Sequence, residues 1–126
     1  MSFLSRLFGN TFEILVVCHA NETRSPFIAA LLERRLSQTA SRLRFRVRSA
    51  GLEAAAGAPV NPIVAAAAFQ MKLPIQRAAV PLRKSMVRRA NLILTMEEHQ
   101  RLAVNSTWPE AAAKVFVLTA YGTEAP

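Results

Sequence analysis

Aspartate is missing from this chain. All eight acidic residues are glutamates: Glu13, Glu22, Glu33, Glu53, Glu97, Glu98, Glu110 and Glu124. A reaction that needs a carboxylic proton donor must find it among them. Cysteine is nearly missing too, with Cys18 the single copy. One cysteine excludes an internal disulfide framework and a multi-cysteine metal site, and it suits a reducing compartment. The two histidines, His19 and His99, have no other ligand type clustered with them, so no metal centre is expected. No apolar run is long enough to cross a bilayer. The opening stretch MSFLSRLFGN has one arginine and short apolar pieces, a poor secretory signal. Together these absences point to a cytoplasmic protein with no membrane span.

What is present is apolar and basic. The chain has 126 residues, 52% of them hydrophobic, which fits one domain with a continuous core. Sixteen basic residues against eight acidic ones leave a net charge of +8. A basic surface favours anionic partners: phosphorylated or acidic peptides, nucleic acid or anionic lipid. Composition does not choose among them.

Strand and helix patterns alternate along the chain. FEILVV (12–17) is a β-branched run that ends at Cys18. A polar loop follows, and Ser25-Pro26 reads as an N-cap with proline at the first helical position. Ile28, Leu31, Leu32 and Leu36 then repeat at helical spacing over 26–37. RLRFRVRS (42–49) alternates strictly, with Arg42, Arg44, Arg46 and Arg48 on one face, the sign of a strand near a sheet edge. Asn61-Pro62 opens an alanine-rich helix to about Met71, and a further helix fits 82–90. NLILTM (91–96) reads as a buried strand, EEHQRLAV as a helix with glutamates in its first turn, and about 115–118 as a last strand. The order predicts a single α/β domain. It has a four-stranded parallel sheet, helices on both faces and a loop between strand 1 and helix 1. Ligands in such sheets sit beyond the carboxyl ends of the strands, which is where Cys18 lies.

The stretch VVCHANETRSP (16–26) carries the chemistry. A cysteine six residues before an arginine is weak evidence alone. Placed between a strand and a helix it gains a physical use. A loop closing onto a helix N-terminus can aim backbone N–H groups inward and cradle an anion such as phosphate or sulfate. Arg24 can add a bidentate fork to that anion. The same positive field favours a thiolate at Cys18, and the Ser25 hydroxyl can donate to it. Asn21 suits the left-handed backbone that a tight loop needs. A thiolate beneath a bound phosphate stands in line for attack on phosphorus. His19 lies in the loop and can line the pocket, whereas His99 reads as a surface residue.

VVCHANETRSP resembles the active-site loop of low-molecular-weight protein tyrosine phosphatases. The resemblance continues in RSAGL (48–52), Gly57 with PVNP (59–62), ANLILTMEEH (90–99) and KVFVLTAYG (114–122). His-Ala-Asn after the cysteine is also similar to the branch that acts beside bacterial exopolysaccharide tyrosine kinases. The resemblance implies that same four-stranded sheet, a protein phosphotyrosine substrate and no cofactor. It implies Cys18 as nucleophile and Arg24 as phosphate clamp, with Cys18, His19, Ala20, Asn21, Glu22, Thr23 and Arg24 forming the loop. Asn21, Ser25 and Ser49 become its supporting polar network.

The pattern also breaks. Ala20 replaces a glycine, which implies strain if the loop needs positive φ there. Thr23 replaces a second cysteine, Gln76 a supporting histidine, Asn91 an aspartate before the LIL strand, and Glu22 a commonly apolar residue. The aspartate that the family uses to protonate the leaving phenolate has no counterpart in these 126 residues: either the sequence is a truncated form or the acid is lost. The expected domain is therefore a phosphatase-like unit over 1–126 without the C-terminal acid loop and last helix. Glu124 is the acidic residue of the matching tail, and Tyr121 a candidate rim residue. The alternative is a weak or inactive member that binds phosphate or phosphotyrosine. Arsenate reduction needs more cysteines. Nucleic acid is disfavoured, because the arginine comb has one aromatic, Phe45, and it lies on the opposite face.

Overall fold

In a computed structural model of the chain, residues 11–118 are described. The elements are β1 (Thr11–Cys18), α1 (Arg24–Ser37), β2 (Arg44–Gly51), α2 (Pro62–Gln70), α3 (Lys84–Arg89), β3 (Leu92–Thr95), α4 (Glu98–Thr107), a 3-10 turn (Pro109–Lys114) and β4 (Val115–Val117). The sheet order is β2-β1-β3-β4, and every pairing is parallel. The predicted architecture is the observed one, a single α/β domain.

β1 sits inside the sheet because its sequence tolerates burial on both faces. Ile14, Leu15, Val16, Val17 and Cys18 are all buried, the pattern of a strand covered above and below. Its side chains feed two cores. Leu15 and Val17 pack with Ala50, Val87, Ile93 and Val104, which places α3 and α4 on that face. Ile14, Val16 and Cys18 pack with Ala29, against which Ile28, Leu32 and Leu36 of α1 also lie. Each fully buried Val or Ile contributes about 1.5–3 kcal/mol relative to exposure. β2 is an edge strand, as its arginine alternation predicts, and Phe45 meets Phe12 edge-on at 6.1 Å between ring centroids.

Several boundaries shift by one to three residues, and two of the shifts lie beside the site. The first helix begins at Arg24, with Thr23 in the cap position, two residues ahead of the Ser25 cap read from sequence. Pro26 falls within the first turn, where an N–H has no helical partner anyway. Ser25 does not cap because its hydroxyl is engaged elsewhere. β2 runs on to Gly51, since Ser49, Ala50 and Gly51 stay in register with Val16, Val17 and Cys18. The Asn61 cap is as expected, its side chain accepting from the Ile63 and Val64 N–H groups. No helix among the described residues is long and apolar enough to cross a membrane.

Candidate active site

The sheet brings Cys18 to the carboxyl end of β1, beside Gly51 at the end of β2. The sulfur is buried, with Cys18 only 4% exposed. Two groups meet it. Ser25 Oγ lies 2.8 Å from Sγ, and the Asn21 backbone N–H donates to Sγ at 3.3 Å. Both come from the loop and the first turn of α1, so the strand-loop-helix turn itself holds the sulfur.

Asn21 organises the loop. It is wholly buried and sits at φ 58°, in the left-handed region. A short polar side chain makes that conformation tolerable. Its amide uses both donors and takes two bonds at its oxygen. Nδ2 donates to Ser25 Oγ and Ser49 Oγ, each at 2.8 Å. Oδ1 accepts from Gln76 Nε2 at 2.7 Å and from the Val80 N–H at 2.8 Å. Ser25 Oγ therefore accepts from Asn21 while its own proton is free to go to sulfur. Structure brings together Cys18, Asn21, Ser25 and Ser49, the set named from sequence. Gln76 joins them, its amide N–H standing where the resemblance expects a histidine.

Ala20 does not carry the strain its replacement of glycine implies. Among described non-glycine residues, positive φ occurs at Asn21 and Lys72. The glycine that matters is Gly51. A Cβ there would come within 2.6 Å of the His19 carbonyl oxygen and 2.9 Å of the Ala20 carbonyl carbon. The backbone past it forms a rail: Leu52 N donates to Cys18 O and Glu53 N to His19 O, both at 2.9 Å. Within RSAGL no local pattern marks this glycine, because the backbone it clears belongs to another strand's loop.

Arg24 stands at the first position of α1, exposed, and donates from Nη1 to Glu97 Oε1 at 2.9 Å. Glu97 also lies 3.2 Å from the exposed His99 Nδ1. The backbone N–H groups of Met96 and Glu97 donate to Gln100 Oε1, which fixes the start of α4. No local signal marks Glu97, which lies 73 residues from Arg24. His19 is exposed and pairs with Glu53 at 3.3 Å. Glu22 is half-buried, with no ion-pair partner among the described residues. Its carbonyl accepts from Asn61 N at 2.8 Å. Asn91, which replaces the aspartate of the resemblance, accepts from the Glu13 N–H through Oδ1 at 2.8 Å. Tyr121 and Glu124 lie outside the described residues.

A parallel α/β sheet whose single thiol ends the first strand, under a turn that opens a helix with arginine, defines a narrow class of protein. Residues 13–126 match the family of low molecular weight phosphotyrosine protein phosphatases, and the chain belongs to it. It is 29% identical over 111 residues to a protein-arginine-phosphatase from Bacillus subtilis, covering 88% of this chain and 73% of that one. It is 36% identical over 106 residues to EpsP of Ralstonia nicotianae, a probable low molecular weight protein-tyrosine-phosphatase, covering 83% and 69%. Among solved structures it is similar to a cysteine-to-serine mutant of the YwlE arginine phosphatase with a phosphorylated active-site serine. That match has a TM-score of 0.78 and 27% identity, and it covers 90% of this chain and 74% of that one.

Proposed function

We propose that this protein hydrolyses protein phosphotyrosine through a phosphocysteine intermediate. The observation that carries the reading is the buried Cys18 sulfur held at 2.8 Å by Ser25 and at 3.3 Å by the Asn21 N–H, beside an arginine-led helix. In its thiolate form, Sγ accepts from both groups and attacks phosphorus. The S–P bond forms as the bond from phosphorus to the tyrosyl oxygen breaks. Arg24, released from Glu97, and the loop N–H groups from His19 to Arg24 other than that of Asn21 hold the phosphoryl oxygens and their growing charge. Water then attacks phosphorus, the S–P bond breaks, and phosphate leaves with the thiolate restored. A bacterial tyrosine kinase is one candidate protein substrate, from the resemblance of the His-Ala-Asn loop to the exopolysaccharide-associated branch.

The acid step is the weak link for these 126 residues, which hold no aspartate. General acid catalysis contributes about two to four powers of ten. Turnover should therefore be slow on tyrosine phosphate and less impaired on p-nitrophenyl phosphate, whose leaving group needs no proton. The Arg24–Glu97 pair, which engages the guanidinium that would clamp phosphate, favours a second reading, capture of phosphotyrosine without useful turnover.

One assay separates them. Release of p-nitrophenol, blocked by vanadate and abolished in Cys18→Ser, supports the enzyme. Tight phosphopeptide binding with no release supports the binding module. Phosphoarginine should be run beside phosphotyrosine, because relatives of both names resemble this chain.

A further inference from the structure

We propose that the open half of the sheet beside α3 is a docking surface for an acidic, extended segment of a protein substrate. The inference rests on the reading of this chain as a protein phosphatase.

Among the described residues β2 is an edge strand, paired only with β1. Its register sets Arg44, Arg46 and Arg48 opposite Thr11, Glu13 and Leu15, so the three share the face on which Leu15 packs. On that face α3 lies over the sheet through Val87. No helix packs there through Arg44 or Arg46, which remain exposed, whereas Arg48 is half-buried. The helix packed over β1 on this face carries Lys84, Arg88 and Arg89, with Arg83 just before it, all exposed. None of these seven basic side chains has an ion pair among the described residues. Glu13 is the single acidic residue that β1 and β2 place on this face.

Placement gives the strip a direction. Leu82, just ahead of α3, donates to Gly51 O at the site end, and Asn91, just beyond it, donates to Glu13 O at the far end. The basic strip therefore runs away from the Cys18 loop. With about 3.3 Å per residue of strand, Arg48, Arg46 and Arg44 stand roughly 10, 17 and 23 Å behind Gly51. An extended peptide has the same rise and the same alternation. Its acidic side chains would meet the comb about three, five and seven residues from the phosphoresidue.

The face favours a polypeptide over other polyanions. Among the described residues, β2 and α3 carry no aromatic ring on this face for base stacking, since Phe45 packs into the opposite core. It offers no apolar anchor for a lipid surface either. The exposed large hydrophobics, Leu43, Ile63, Phe69, Met71, Leu102 and Phe116, all lie off β2 and α3.

The test uses phosphotyrosine peptides with Glu or Gln at the third, fifth and seventh positions, on either side of the phosphoresidue. For the chain itself, at low salt, one Glu peptide should have a KM about five-fold below its Gln counterpart. Arg44→Gln/Arg46→Gln should erase that preference and leave kcat on p-nitrophenyl phosphate unchanged. Arg46→Gln alone, a smaller change, should halve the effect, and Arg46→Lys should keep it. Equal KM values for Glu and Gln peptides, or variants that alter both equally, overturn the proposal in favour of a merely solvated edge. If p-nitrophenyl phosphate is not hydrolysed at all, the phosphatase reading fails. Docking is then read by fluorescence binding of the Glu peptide without phosphate, where salt-sensitive binding lost in the double variant sustains it. Tighter binding of a single-stranded RNA or of phosphatidylserine vesicles to the same arginines overturns it.

Discussion

Asn21 should be the residue whose loss most damages the phosphate loop. Its side chain makes four hydrogen bonds, to Ser25, Ser49, Gln76 and the Val80 N–H. A typical bond contributes about 0.5–1.5 kcal/mol net. The Ser25 and Ser49 bonds are buried, whereas those to Gln76 and Val80 are part-buried, where water can partly replace the lost partner. Together the four should be worth about 3 kcal/mol. Alanine must also adopt the φ of 58° seen at this position, at a further cost of about 1 kcal/mol. Asn21→Ala should thus lose about 4 kcal/mol, a large share of the ~5–15 kcal/mol typical of a domain. Asn21→Gly lacks the network but not the backbone freedom, and should fall about 1 kcal/mol less far. Urea unfolding followed by the fluorescence of Trp108, the single tryptophan and packed against the core, measures both. A loss below about 1 kcal/mol in Asn21→Ala would refute the claim that this network holds the loop. Equal losses in the two variants would refute the backbone part.

Gly51→Ala should cost about 1–3 kcal/mol and lower turnover, because its Cβ meets loop backbone that cannot yield like a flexible side chain; unfolding and p-nitrophenol release check the two effects. Gln76→Leu should cost about 1 kcal/mol by removing a donor to Asn21 Oδ1. Gln76→His, which can present a ring N–H, should cost less, as paired denaturation curves would show. Glu97→Gln should shift stability by less than about 1 kcal/mol, since both partners of the Arg24–Glu97 pair are about half exposed. Added salt should bring the wild type towards that variant.

The local parts of this protein are legible in its residue order. A β-branched run, a polar turn and a helical repeat announce the unit around Cys18, because strand and helix periods depend on near neighbours. The left-handed turn at Asn21 and the open face of the arginine comb follow in the same way. The start of α1 was misread because Ser25 is a good cap by type, yet its hydroxyl is taken by Cys18 and Asn21. Only the tertiary structure decides which distant groups complete the site. Gln76 reaches Asn21 across 55 residues and Glu97 reaches Arg24 across 73. Gly51 lies under the His19 carbonyl because β2 pairs with β1 in one register. Such contacts carry no periodic trace. They arise from which strands pair, in what order and how far each runs, and one glycine or glutamine then matters by position rather than by type.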